Sequence, residues 1–286
     1  MIGQESAKKK LSFYIDNYKR SGRIVHTLFN APKGTGKTML AQHVAANLKK
    51  ISPDKQYLEV NCATIKSIKQ FCEQLLLTSI VDKDVTVLFD EASELPKSVE
   101  MALLTILNPN DQHRTRFSYD EFDFEFDFKR QSFLFATTEA HKMFHALKDR
   151  LNRIDLQPYT SQNIADILAL NLDKKKIEYD GKILIDIANV LRGNARQAVK
   201  MSGDIIDYMH GNSSKFTAKN WEDMRSALDI LPMGISPVEL SVLQAISERN
   251  GTSLTQLSAI TGMSRESLQK DGEMFLLQNG LMEVRT

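Results

Sequence analysis

The chain has 286 residues, 42% apolar and 26% charged, with a formal net charge of +1 at pH 7. That length suits two domains, or three small ones, of ~100–150 residues each. The near-zero charge excludes a global pull toward nucleic acid, so any DNA contact is local or spread over an oligomer, and no apolar run approaches the ~18 residues of a membrane span.

In chain order, the first pattern is His26-Thr-Leu-Phe-Asn30, a short apolar strand. Ala31-Pro-Lys-Gly-Thr-Gly-Lys37-Thr38 follows it, and Met39 to Leu48, rich in Ala and Leu, reads as a helix. A glycine-rich turn between strand and helix aims several backbone N–H groups at one spot. The helix N-terminus adds positive potential there, so phosphate oxygens bind. Lys37 is expected to reach the β- and γ-phosphates of ATP and the Thr38 hydroxyl to ligate Mg²⁺. Lys33, Gly34, Thr35, Gly36 and Met39 complete the expected nucleotide-binding stretch. Ala31 stands where Gly is commoner, but Pro32 already holds residue 31 extended, so a methyl group fits.

Cys62 and Cys72 match no metal or redox spacing. With no apolar signal core at the N-terminus, reduced thiols in a cytoplasmic protein are the expectation. Val85-Thr-Val-Leu-Phe-Asp90-Glu91 is an apolar strand ending in two carboxylates. A run apolar on both faces suits a central parallel strand, and ligands gather at the carboxyl ends of such strands. Asp90 would then hold the Mg²⁺ shell and Glu91 would orient the attacking water. Further on, Arg114 to Phe128 alternates Phe with acid from Phe122 to Phe128. Period two gives one apolar and one acidic face, as in a β-hairpin turning near Asp120-Glu121. Read from the residues alone, those phenylalanines pack on the core as a sheet edge, with the acidic neighbours discouraging edge-to-edge aggregation. Phe133-Leu-Phe-Ala-Thr137-Thr138 is a third apolar strand, whose terminal hydroxyls can bond a γ-phosphate or the lytic water. His141 and His145 share a helical face, but no third ligand for zinc lies near them.

Apolar residues recur at three- and four-residue steps over Asn163 to Leu170, Gly181 to Leu191 and Asn194 to Met209, which predicts helices. Breakers in Leu231-Pro232-Met-Gly234-Ile-Ser236-Pro237 mark a boundary. The last segment reads as a winged helix: one helix opened by Ser236-Pro237, a second over Leu254 to Ile260, a third capped by Ser264, and a closing strand from Leu281 to Arg285. Arg265, Lys270 and Arg285 are its candidate DNA contacts, although Glu266, Asp271 and Glu273 on the third helix disfavour a major-groove role.

A phosphate loop, an Asp-Glu strand and a Thr-ending strand in this order resemble an AAA+ ATPase. Ile2-Gly3-Gln4, Leu147-Lys-Asp149-Arg150-Leu and Arg192-Gly193-Asn-Ala-Arg196-Gln-Ala198 narrow the resemblance to the RuvB family, the motors of Holliday-junction branch migration. The resemblance implies an α/β AAA+ domain over 1–157 with a parallel sheet, a helical lid over 158–231 and a winged-helix domain over 232–286. It implies that Ile2 lies against adenine, with Tyr159 near the base. It also implies Arg150 as a finger in the neighbouring subunit's site, Arg196 on the γ-phosphate and Thr138 in the sensor position, with Thr137 as the alternative. A hexameric ring on four-way-junction DNA is implied, with a junction-binding partner similar to RuvA that docks on the hairpin through Phe122, Phe124 and Phe126. The competing function is a clamp-loader-like ATPase of DNA replication, for which the first 157 residues give similar support.

Overall fold

The apolar runs ending near Asn30, Asp90 and Thr137 are parallel strands covered on both faces. In the computed structural model, residues 2–210, 215–249 and 251–284 are described, except for the side chains of Lys270 and Asp271. Helix α1 (Glu5–Ser21) leads to β1 (Thr27–Asn30), α2 (Lys37–Ile51) and β2 (Gln56–Asn61). Then come α3 (Ile68–Gln70), continued by a π-helical stretch Phe71–Ile80, β3 (Val85–Asp90) and α4 (Lys97–Ile106). The antiparallel pair β4 (Arg114–Tyr119) and β5 (Phe122–Asp127) precedes β6 (Gln131–Thr137), α5 (His145–Lys148) and β7 (Asn152–Asp155).

The main sheet has five strands in the order β2-β3-β6-β1-β7. All four pairings are parallel. Alternate side chains feed two different cores, as the strand period requires. Phe29, Leu88, Leu134 and Ala136 pack with Leu11, Leu40, Val44 and Leu48 of α1 and α2. Leu28, Val87, Phe89, Phe133 and Phe135 pack with Phe71, Leu76, Val99 and Leu103 on the opposite face.

The hairpin forms as the alternation predicts, with Tyr119 opposite Phe122 across the Asp120-Glu121 turn. Its apolar face is the part that corrects an expectation. Phe124 and Phe126 are 1% and 0% exposed inside the main core, so they cannot be docking residues. Phe122 is half-buried against the same core. Burying these rings removes well over 100 Å² of apolar surface apiece from water, which decides which face turns inward. The outward face is charged, with Arg114 3.5 Å from both Glu125 and Asp127.

The chain groups into two compact units, the first made of residues 1–167 with Gly193–Met201, the second of Leu168–Arg192 with the residues from Ser202 onward. The predicted helices are present as α6 (Ser161–Lys174), α7 (Gly181–Val190) and α8 (Ala195–Tyr208), followed by α9 (Ala218–Ala227). In the second unit, Arg192 donates to both carboxylate oxygens of Glu239 at 2.8 and 2.7 Å and lies 3.2 Å over the Phe275 ring. The second unit thus holds α7, α9 and the later halves of α6 and α8 together with the C-terminal helices. There α10 (Pro237–Arg249), α11 (Leu254–Thr261), α12 (Arg265–Ser267) and α13 (Met274–Gln278) surround Val242, Leu257, Leu268 and Leu276. Ser253 and Ser264 cap α11 and α12 through the amides of Gln256 and Ser267. The expected closing strand is not formed: residues 281–284 are irregular, and Arg285 lies outside the described residues. Gly280 at φ 66 ends the last helix, and no described strand is there for the segment to pair with.

His26 is 4% exposed, lies edge-on to Phe128 with ring centroids 4.8 Å apart, and has no partner for either ring nitrogen. Burial holds its pKa down at about 3, with the Arg23 charge adding to the effect. The unfolded imidazole takes a proton near pH 6.5 and the folded one does not. Stability is therefore complete above about pH 6.5 and falls by ~1.4 kcal/mol per pH unit below it, until the folded group titrates too. Urea titrations at pH 7 and 5 should show this slope, and His26→Leu should flatten it. Phe126→Ala should cost ~3–5 kcal/mol, read as a lower urea midpoint, because it opens a cavity in the core.

Candidate functional site

The sheet order sets the site. β6 lies between β1 and β3, so the loop after β1, the hydroxyls after β6 and the carboxylates after β3 emerge side by side. Registers align the ends, with Asn30 opposite Thr137 and Asn61 opposite Asp90.

The loop after β1 turns through Gly34 at φ 78 and Gly36 at φ 93, conformations that favour glycine. Thr35 is buried and donates to the Pro32 carbonyl at 2.8 Å, which stiffens the turn. Lys37 opens α2 and folds back, donating to the carbonyls of Ala31 at 2.8 Å and Pro32 at 3.0 Å. Burial pushes the Lys37 pKa down, Asp90 pulls it up, Arg196 pushes it down, Glu91 raises it and Lys33 lowers it. Four of the expected charges thus act on one ammonium. Thr38 donates to Asp90 Oδ2 at 3.1 Å, while Asp90 Oδ1 accepts the Glu91 amide at 2.9 Å. A hydroxyl and a carboxylate so paired, both hard oxygen donors beside a phosphate cradle, fit a hexacoordinate Mg²⁺. Glu91 is exposed, with φ 54 and ψ 45, a left-handed conformation that a glutamate rarely adopts.

The two threonines after β6 differ. Thr137 is buried, donates to Ser93 Oγ at 2.9 Å and accepts the Glu139 amide. Thr138 is exposed at the strand end. Arg196 belongs to the first unit and acts on Lys37. Arg150 does not figure among the charges on Lys37; it is exposed, and its Nε donates to the Leu104 carbonyl at 3.2 Å. Asp149 pairs instead with His145 at 3.0 Å. Met39 is 51% exposed in the first turn of α2, next to the loop.

The N-terminal segment joins a wall beside the loop. Gln4 makes two bonds with the backbone of Gln157, through Nε2 at 2.7 Å and Oε1 at 3.1 Å. Gly3 sits at φ 64, where a Cβ would stand 3.0 Å from Tyr159 Cε1. Tyr159 is buried, which raises its pKa. A Cβ on Gly193 would lie 2.7 Å from the Tyr159 carbonyl oxygen, so the turn before α8 needs glycine. Ile2, half-buried, leads into this wall.

Sequence reasoning missed Asn194. A Cβ on Gly34 would fall 2.1 Å from Asn194 Oδ1, and the Ala195 amide donates to the Gly34 carbonyl at 3.0 Å. Asn194 lies between the two arginines of the Arg-Gly-x-x-Arg motif, and no spacing in the sequence links it with the loop. Of the expected DNA contacts, Arg265 is exposed at the start of α12, whereas the Lys270 side chain and Arg285 lie outside the described residues. Among the described residues there is no cluster of three or more His, Cys, Asp or Glu able to hold a metal, and no helix is long and apolar enough to cross a membrane.

The model of the AAA family, "ATPase family associated with various cellular activities", matches residues 27–160. The Holliday junction branch migration complex subunit RuvB of Nitratiruptor sp. is 25% identical over 99% of this chain and 84% of its own length. The same subunit from Thermotoga maritima is 26% identical over 98% of this chain and 84% of its own. A solved structure of a Thermotoga maritima RuvB variant superposes with a TM-score of 0.78 at 25% identity, covering 100% of this chain and 90% of that one. The loop and the Asp-Glu strand therefore lie within the stretch that matches the AAA ATPase family, and the similarity to RuvB branch-migration subunits runs along almost the whole polypeptide.

Proposed function

We propose that this chain is the ATP-hydrolysing motor subunit of a Holliday junction branch migration complex, working as a hexameric ring on DNA. The convergence of Lys37, Thr38, Asp90, Glu91 and Arg196 at one sheet edge carries the proposal. Its support is a chain matched over 99% of its length by relatives that are named for junction branch migration. That full-length match disfavours a clamp-loader-like role.

Each residue has a task in phosphoryl transfer. Lys37 leaves the Ala31 and Pro32 carbonyls for the phosphates, exchanging neutral acceptors for charged ones. Thr38 and Asp90 would hold Mg²⁺, which neutralises phosphate charge when bound. Glu91 orients and polarises the water, and Thr138 bonds to it or to the γ-phosphate. Arg196 covers the γ-phosphate from the start of α8. Ile2 and Tyr159 line the base side. Arg150, exposed and without a carboxylate partner among the described residues, serves the next subunit's site. A guanidinium stays charged at any working pH and grips two oxygens, so hydrolysis then reports on packing between subunits. The partner is a junction-binding protein similar to RuvA. The docking role of the hairpin falls to Phe122 and the exposed tip rather than to Phe124 and Phe126. The compartment is the cytoplasm, where Cys62 and Cys72, both free and buried, stay reduced.

ATP with a synthetic four-way junction should give strand exchange that duplex and primed single-strand controls lack; an inert junction would overturn the motor assignment. Glu91→Gln should keep ATP binding and lower turnover by ~10²-fold or more, measured as phosphate release. Arg150→Ala should cost ~10³-fold. Mixing Arg150→Ala subunits with Glu91→Gln subunits should restore hydrolysis.

A further inference from the structure

Helix α4 carries an anomaly in its buried face. Val99, Ala102, Leu103 and Ile106 are apolar, but Glu100 is only 5% exposed among them. A carboxylate is costly to bury unless hydrogen bonds and charge compensate it. Here Oε1 accepts the backbone N–H of Phe144 at 2.8 Å. Lys97, one turn earlier, lies 3.8 Å from Oε2, and its ammonium stands 3.2 Å over the centre of the Phe144 ring. Residue 144 is therefore held twice, by its amide and by its ring.

Phe144 is the residue immediately before α5, and no side chain caps that helix. The Phe144 carbonyl accepts the amides of Leu147 and Lys148, and the Leu147 carbonyl accepts the amide of Arg150. Arg150 then returns to the same helix, through Nε to the Leu104 carbonyl. Glu100 and Leu104 are four residues apart, one helical turn. Segment 144–150 is thus fastened to α4 at both ends; at the first end Lys97 covers the Phe144 ring, and Glu100 is the α4 side chain that hydrogen-bonds the segment's backbone.

We propose that Glu100 is a positioning residue for Arg150, setting where the guanidinium is presented to the neighbouring subunit. The inference rests on the assignment of Arg150 as a finger acting in trans. It assigns Glu100 to the site a subunit serves, not to the site it owns, because its hydrogen bond goes to the finger segment.

That division gives a directional test in the full-length protein. Glu91→Gln subunits donate a finger but do not hydrolyse; Arg150→Ala subunits receive one but do not donate. Their mixed assemblies supply the reference rate of ATP hydrolysis. Glu100→Leu added to the donor should lower that rate by ~10-fold or more, because about 1 Å of misplacement can cost ~10²-fold. The same change added to the receiver should leave the rate within about two-fold. Glu100→Gln in the donor keeps the acceptor oxygen and should retain most of the activity. Glu100→Asp, which withdraws the acceptor by one methylene but keeps the charge, repeats the donor-only loss in case leucine prevents folding. ATP binding and assembly of each variant are measured alongside. Equal losses in donor and receiver, or no loss in either, would overturn the role of Glu100. If the reference pair shows no rescue, the trans finger itself fails and takes this inference with it.

Discussion

The parallel insertion of β6 between β1 and β3 is the constraint on which the site depends. Parallel strands end together on one edge, and that edge is where backbone amides, carboxylates and hydroxyls can share one ligand. Asn30 opposite Thr137 and Asn61 opposite Asp90 put these ends within one residue of the same level. The pairing needs both faces of the sheet covered, since Val85–Phe89 are fully buried. The aromatic hairpin face and the π-helical stretch do this on one side, α1 and α2 on the other. The packed phenylalanines therefore act on function indirectly, by keeping three strand ends level.

Most of the nucleotide half of the site was legible in the sequence, because its residues follow a strand or open a helix. Lys37, Thr38, Asp90 and Glu91 are each fixed by local chain direction plus the rule for parallel sheets. The hairpin was legible in form but ambiguous in orientation. Period two shows that Phe122 to Phe128 has two unlike faces, and only the three-dimensional context decides what meets the apolar one. Asn194 over Gly34 was hidden for a related reason: 160 positions separate them, and no periodicity links a loop with the start of a distant helix. The closing strand failed because a strand needs a neighbour, and an apolar-polar run near a chain end does not reveal whether one exists.

The Arg-Gly-x-x-Arg motif divides its two arginines between the two units. Arg192 is engaged by Glu239, Phe275 and the Met233 carbonyl, the last at 3.1 Å. The amide of Ser236 supplements this by donating to Glu239 at 2.7 Å. Hydrogen bonds to Arg192 and Ser236 hold the Glu239 carboxyl below its usual range against burial, so the pair stays ionised at neutral pH. One residue later the chain enters the segment Gly193–Met201 of the first unit, which carries Arg196. Three residues thus separate an arginine saturated by protein groups from one whose charge acts on Lys37.

Backbone strain marks the same two places. Glu91 at φ 54 and Arg192 at φ 52 are both non-glycine residues in the left-handed region, which costs each on the order of 1 kcal/mol. A glycine would remove that cost but also the side chain: the carboxylate beside Asp90 at residue 91, and the guanidinium anchor at residue 192. Each is held by neighbours that over-determine it. The Asp90 carboxylate takes the Glu91 amide, and the Glu239 fork takes the Arg192 guanidinium. Strain of this kind persists only where the surroundings over-determine the residue, and at both positions a carboxylate-centred hydrogen bond supplies that constraint and leaves one backbone geometry rather than several.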